Sequence, residues 1–103
     1  MAAYFISDAE IHDPAGYKEY TTKVPVLIAK YGGEYLVRGG DFEVHEGDWR
    51  PHRLVIFRFP DRAAVRAMIT DPAYLELKKI RQRTSNTCLV AVDGMSSEDH
   101  PHE

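Results

Sequence analysis

The sequence has little of what marks a disulfide-linked, nucleic-acid-binding or membrane protein. It has a single cysteine, Cys88, in 103 residues, which excludes a disulfide framework and any cysteine-rich zinc module. It has no basic excess, because 13 Lys+Arg stand against 16 Asp+Glu for a formal charge of −3. Nothing is therefore available to displace counterions from a phosphate backbone, and nucleic acid is not an expected partner. No apolar run approaches the roughly 20 residues of a membrane span. The opening Met1-Ala2-Ala3-Tyr4 lacks a charged segment followed by an apolar one, so the expected location is cytoplasmic. No Gly-x-Gly-x-x-Gly or phosphate-loop pattern is present, so no nucleotide cofactor is expected. Repeats of solenoid period are missing too.

What remains is a chain with 44% hydrophobic residues, long enough for one globular domain and too short for two. A domain of this size buries only about two-thirds of the surface its unfolded chain exposes, so association with a second copy is a natural support.

Ala3 to Ile11, with Tyr4, Phe5, Ile6, Ala9 and Ile11, reads as a first strand. Asp13-Pro14 then opens a helix: Asp accepts from the first free N–H groups, and Pro at the first helical position gives up a donor that had no partner. Tyr17, Tyr20, Val24, Leu27, Ile28 and Tyr31 recur at spacings of three and four and share one face, the buried one. Pro25 removes one backbone bond and predicts a kink near Thr22 in a single helix. Gly32-Gly33 ends it.

Glu34 to Arg38 is a second strand, and Gly39-Gly40 after it suggests a bulge or turn. Residues 41–52, with Phe42 and Val44 alternating against Glu43 and His45 before a turn at Gly47-Asp48, read as a strand extension and hairpin. Leu54 to Phe59 is a third strand. Pro60-Asp61 breaks it and caps a short helix through Ile69, with Val65, Met68 and Ile69 as its apolar stripe. Asp71-Pro72 starts another, carrying Tyr74, Leu77, Ile80 and Arg81 to about Ser85. Thr87 to Asp93 is the fourth strand, within which Cys88 is expected to be buried and inert. Residues 96–103 carry no apolar side chain except the ring of Pro101, and a disordered tail is expected there after a single domain over 1–95.

The order β-α-β-β-α-β is the split arrangement of ferredoxin-like α+β folds, with an antiparallel four-stranded sheet carrying its helices on one face. A strand with one face in water alternates apolar and polar residues, yet Leu54 to Phe57 and Leu89 to Val92 are apolar on both faces. No further element remains to cover the second face. A second copy packing sheet against sheet is therefore expected, which makes the protein a homodimer.

Several segments match a known pattern. Asp13-Pro14, Tyr17, Tyr20 and Val24-Pro25 are followed by Tyr31-Gly32-Gly33, Tyr35-Leu36-Val37-Arg38-Gly39-Gly40, Glu46-Gly47-Asp48-Trp49 and Pro51. Phe59-Pro60, Asp71-Pro72-Ala73-Tyr74, Arg81 and Val92-Asp93-Gly94 complete the set. From Tyr4 to Gly94 the chain resembles the domain-of-unknown-function 1330 family, DUF1330, itself similar to the dimeric α+β barrel superfamily. The resemblance implies the same fold and dimer. That superfamily includes cofactor-independent monooxygenases, lactone isomerases, haem enzymes, stress-induced proteins and ligand-binding modules, so fold analogy does not choose a reaction. Three positions depart from the family's pattern: Arg58 stands where Glu is usual, Met68-Ile69 where an aromatic pair with Trp is common, and His45 where an apolar residue is more frequent.

Glu46, with His45 beside it, is the candidate proton acceptor, and Trp49 offers an aromatic wall for a planar substrate. The competing reading of Glu46, Asp48 and Trp49 is a hairpin turn covering the sheet edge. Arg38, before two glycines that let a ligand come close, is a candidate for holding an anionic oxygen; the alternative is an ion pair with Glu46 or with a partner acid. Arg81 lies on an inward helical face and requires a counter-charge from Glu10, Asp8 or an anionic ligand. Tyr20 and Tyr74, with Tyr17 and Tyr31, are either core or the phenols of a pocket. His45, Glu46, Asp48 and His52 match no metal-ligand spacing, so no metal is expected. Lys78, Lys79, Arg81 and Arg83 read as a partly solvated helix face. Two functional readings stay open. One is a cofactor-independent enzyme, isomerase-like or monooxygenase-like, acting on a small carbonyl or aromatic compound. The other is a noncatalytic dimer that binds a small molecule or acts in stress response.

Overall fold

Each helix begins where an aspartate meets its first free amides. In the computed structural model, which describes residues 1–95, Asp13 accepts from Gly16 at 3.1 Å, Asp61 from Ala64 at 2.8 Å and Asp71 from Ala73 at 2.8 Å. These caps start α1 (Pro14–Lys30), α2 (Arg62–Ile69) and α3 (Pro72–Thr84). The strands are β1 (Ala3–Ile11), β2 (Glu34–Arg38), β3 (Leu54–Phe59) and β4 (Ser85–Asp93). The tail expected over 96–103 lies outside the described residues.

The sheet order is β2-β3-β1-β4 with every neighbouring pair antiparallel. This is the α+β ferredoxin-like arrangement. β1 pairs along its length with β4 and β3, so its alternation sorts the sheet into two faces. Ala3, Phe5, Ser7 and Ala9 are buried, as are Val55, Phe57 and Phe59 of β3. Against them pack Val24, Leu27 and Ile28 of α1, Val65 and Met68 of α2, and Tyr74 and Leu77 of α3. Phe59 closes the core at one end, edge-on to Phe5 with ring centroids 6.1 Å apart.

The opposite face carries Ile6, which pairs with Ile56 on one side and Val90 on the other, while Ile56 pairs with Val37. The register thus lines Val37, Ile56, Ile6 and Val90 in one apolar row across all four strands. No helix covers it among the described residues, and Val90 is 55% exposed. Cys88 belongs to this face. The expectation that it is buried is corrected: it is exposed, because the helix-facing positions of β4 are Thr87, Leu89 and Ala91.

α1 runs unbroken through Pro25 as one helix. It ends on Gly32 at φ +79°, with Gly32 N–H donating to Ala29 and Gly33 N–H to Ile28, the hydrogen bonding of a glycine-terminated helix. A Cβ on Gly33 would sit 2.6 Å from the Phe59 ring, so the chain turns there only because the side chain is missing.

The hairpin expected over residues 41–52 is also corrected. Gly39, at φ +71°, donates its N–H to the Leu54 carbonyl and then the chain leaves the sheet. Residues 39–53 are irregular. Alternation of Phe42 and Val44 did not suffice because no strand lies opposite to pair with them. Instead Asp8 fastens this loop from the sheet, accepting from Trp49 Nε1 at 3.0 Å and from the His52 amide at 2.8 Å. Burial opposes ionisation of Asp8, but these donors and the Arg53 amide outweigh it and hold its pKa below the usual value.

Asp71 joins two helix ends. Besides capping α3 it accepts from the Tyr31 hydroxyl and, at 3.1 Å, from Lys30 Nζ at the end of α1. The Tyr31 hydroxyl foremost, then the Ala73 amide and Lys30, lower its pKa to about 2. A carboxylate held below its ordinary 3.8 contributes stability above that value and loses it as pH falls toward about 2. The Asp71→Asn chain should melt several degrees below the unaltered one at neutral pH. That gap should stay constant down to about pH 5 and close between about 4 and 2. Thermal unfolding followed by circular dichroism across this range measures it, and a gap that persists undiminished at pH 2 would refute the account.

Candidate functional site

Between the sheet and the helices lies a cavity whose polar lining starts from tyrosines on α1 and α3. Tyr20 and Tyr74 place their hydroxyls 3.4 Å apart, and Tyr17 packs on Tyr20 with centroids 5.5 Å apart. Tyr35 comes from β2 and packs against Phe57, ring centroids 4.7 Å apart and planes inclined by 51°. The helical spacing of three between Tyr17 and Tyr20 is what puts both rings on the sheet-facing side of α1. The apolar lining comes from Phe5, Val55 and Met68 among others.

Two guanidinium groups also line this cavity, those of Arg38 and Arg53. Arg38 is placed by a defect in α1. Pro25 has no N–H, so the Thr21 carbonyl four residues earlier has no helical donor; Arg38 Nη2 reaches that carbonyl at 3.5 Å, and the guanidinium lies over the Tyr35 ring at 4.4 Å. Arg53 packs across Gly39, where an added Cβ would meet its Nε at 2.9 Å.

Burial raises the pKa of Tyr17, although Arg53 and Arg81 oppose it. Burial raises that of Tyr20 further, with Tyr74 beside it adding to the shift. Tyr35 is raised in the same way against the pull of Arg38 and Arg53. These phenols are therefore neutral hydrogen-bonding groups across the physiological range. Among the described residues, no carboxylate and no imidazole lines the cavity. The cavity volume is about 30 Å³, room for a water or two, so a larger ligand requires its walls to part.

Of the residues singled out in the sequence, Arg38, Tyr20 and Tyr74 meet at this cavity, and Tyr17 joins them. Glu46 and His45 do not. Both are exposed in the 39–53 loop, where His45 Nε2 lies 3.3 Å from Glu43. Trp49 is 61% exposed and bonded to Asp8. Arg38 makes no ion pair with Glu46, and its partners are a carbonyl and an aromatic face instead. Arg81 is buried on α3 and lines two neighbouring grooves rather than this cavity, one between α2 and α3 and one that also holds Asp8 and Glu10, with neither of which it forms an ion pair. Tyr31 is spent on Asp71. No cluster of metal-ligating side chains occurs among the described residues, and no helix there is long and apolar enough to cross a membrane.

Sequence reasoning missed Arg53, Tyr35, Ser7 and Thr21. Only Thr21 had a signal: Pro25 announces an unpaired carbonyl four residues before it. Arg53 follows an irregular loop, and nothing local indicates which way it turns.

A family model described as a domain of unknown function (DUF1330) matches residues 2–95. The chain belongs to the DUF1330 family. Its fold is shared with solved structures of low sequence identity. A protein of unknown function from Rhodopseudomonas palustris superposes with a TM-score of 0.73 at 18% identity, over 92% of this chain and 83% of that one. SnoaB, a cofactor-independent oxygenase from Streptomyces nogalater, gives 0.66 at 15% identity, over 93% and 95%. HapK from Hahella chejuensis gives 0.58 at 13% identity, over 92% and 94%. Comparison with curated proteins gave no match. Of the three departures from the DUF1330 pattern, Arg58 pairs with Glu34 at 3.5 Å on the outer face, and Met68 lines the tyrosine cavity.

Proposed function

We propose that this DUF1330 protein is a homodimer that binds a small planar aromatic or carbonyl compound in the tyrosine cavity, with an anionic or carbonyl oxygen toward Arg38 and Arg53. The observation that carries the reading is the composition of the lining: neutral phenols, hydroxyls and two guanidinium groups, with no carboxylate or imidazole among them. Such a site holds and stabilises negative charge on oxygen and has no obvious side chain to take a proton. The chemistry it favours is stabilisation of an enolate or phenolate. Fold likeness to SnoaB is compatible with that class of reaction and does not choose it. Arg38 is held by one long hydrogen bond at 3.5 Å, weak by geometry, and by its contact over the Tyr35 ring at 4.4 Å; on this reading a ligand enters as Arg38 moves off Thr21. Glu46 and His45 lie outside this reading because they are exposed in the loop.

Titration with 2-naphthoate, read by amide chemical shifts in a ¹H–¹⁵N spectrum, tests it. Shifts should concentrate on Tyr20, Tyr35 and Val55. Arg38→Ala should weaken binding at least about tenfold, the expected loss for a charge-assisted hydrogen bond. Glu46→Gln should leave it unchanged. Undiminished affinity in Arg38→Ala, or loss of binding in Glu46→Gln, sinks the assignment.

A further inference from the structure

A second concavity, of about 540 Å³, shares Phe5, Tyr74 and Leu89 with the tyrosine cavity but opens between α2 and α3 along β4. Among the described residues its charged lining is Arg62, Arg66, Lys78 and Arg81, without one acidic residue. Arg62 is committed to Asp93 at 2.7 Å. Among the described residues, Arg66, Lys78 and Arg81 make no ion pair within 4.0 Å; none of them occurs in the salt bridges formed there.

Arg81 is the anomaly. It is 6% exposed, and its Nε has no hydrogen-bond partner. The two carboxylates that could have answered it are engaged elsewhere: Asp8 with Trp49 and His52, and Glu10 with His52 and Asn86. A buried guanidinium without a counter-charge is costly, and an arginine fork matches a carboxylate in shape. Apart from Thr70 and Tyr74 the rest of the lining is apolar, with Val65, Ile69, Leu75 and Ala91 along the groove. A volume of this size falls in the range of small-molecule sites.

We infer that this groove is a second binding site, for an amphipathic monoanion: a carboxylate on a medium-length alkyl chain. The carboxylate sits at Arg81, Arg66 and Lys78 stand at the mouth, and the chain lies on the apolar wall between α2 and β4. Arg81 separates this site from the tyrosine cavity in function, because it lines the groove and not the cavity, and its Nε is the one buried side-chain polar atom without a hydrogen-bond partner among the described residues.

Isothermal titration with octanoate below its micelle concentration tests the site, with 1-octanol and acetate as controls for charge and chain. Octanoate should bind at least about tenfold more tightly than either. Arg81→Met should weaken it by a similar factor or more. Because a substitution at a buried position can unfold the chain, Arg66→Glu with Lys78→Glu, the first exposed and the second half-buried, provides an independent variant, and it too should lose at least about tenfold. Arg38→Ala should bind octanoate as the unaltered protein does. Octanol binding as tightly as octanoate, or no octanoate binding at millimolar concentration, overturns the inference. So does an unchanged affinity in the double charge reversal. A loss in Arg38→Ala equal to that in Arg81→Met would move octanoate into the tyrosine cavity and likewise overturn it.

Discussion

A Val90→Asp chain should elute as an 11.7 kDa monomer at concentrations where the unaltered protein is expected to elute as a dimer. Val90 ends the row Val37, Ile56, Ile6, Val90 on the face that no helix covers among the described residues, and it is more than half exposed in the single chain. The substitution therefore leaves the helix-side core untouched. In a sheet-on-sheet dimer it places an unpaired carboxylate in the apolar layer, and two-fold symmetry places it there twice. Burying an ionised group without a partner costs several kcal/mol, and about 1.4 kcal/mol is a factor of ten, so dissociation should strengthen at least about a hundredfold. Light scattering on the eluted peak measures the mass. A monomeric unaltered protein, or a Val90→Asp chain that stays dimeric, removes the proposal that this face is the seam. The unaltered protein should also melt at a temperature that rises with concentration, because a partner that binds only the folded chain stabilises it by mass action.

Phe59→Ala should be the most damaging single truncation in the core. Phe59 is 1% exposed, lies edge-on to Phe5, and fills the place left by the missing side chain of Gly33. Removing its ring loses the transfer free energy of the buried atoms and leaves a cavity at the junction of β3 with the end of α1. Phe→Ala changes in such settings cost about 3–5 kcal/mol. Domains of this class have only about 5–15 kcal/mol in all. The melting temperature should fall by at least about 12 °C, or the chain should fail to fold at 37 °C. A fall of under about 3 °C would mean that the strand and helix end close over the gap. The Gly33→Ala chain tests the same contact from the other side, since its Cβ meets the ring at 2.6 Å and the two cannot both stay in place.

The difference between these two experiments reflects what can be read along a chain. Asp13-Pro14, Asp61 and Asp71-Pro72 mark helix starts by chemistry that acts within three residues, and each aspartate does cap as that chemistry requires. The strands, their two apolar faces and the DUF1330 membership likewise follow from local residue order. The 39–53 loop was not legible in this way. Whether Phe42 and Val44 enter a sheet depends on a strand standing opposite them, and what holds the loop is Asp8, more than 40 positions away from Trp49 and His52. Cys88 was misplaced for a related reason: the apolar run Leu89 to Val92 that follows it does not say which face of an edge strand the helices will cover.

The same division runs through the candidate site. The tyrosines on α1 were visible because helical spacing puts them on one side, and Arg38 was visible because two glycines follow it. That Arg38 answers the carbonyl freed by Pro25, that Arg53 completes the lining, and that Glu46 stays outside were decided by tertiary structure alone. Arg81 shows the boundary most clearly. Its spacing from Tyr74 and Leu77 determined that it points inward, since helix geometry is a property of neighbouring residues. Whether an acid meets it depended on where β1 placed Asp8 and Glu10 and on what the distant loop bonded first. Capping, periodicity and proline effects are short-range and are written in order along the chain, whereas counter-charges, pocket walls and the covering of a sheet face are set by distances through space between segments far apart in sequence.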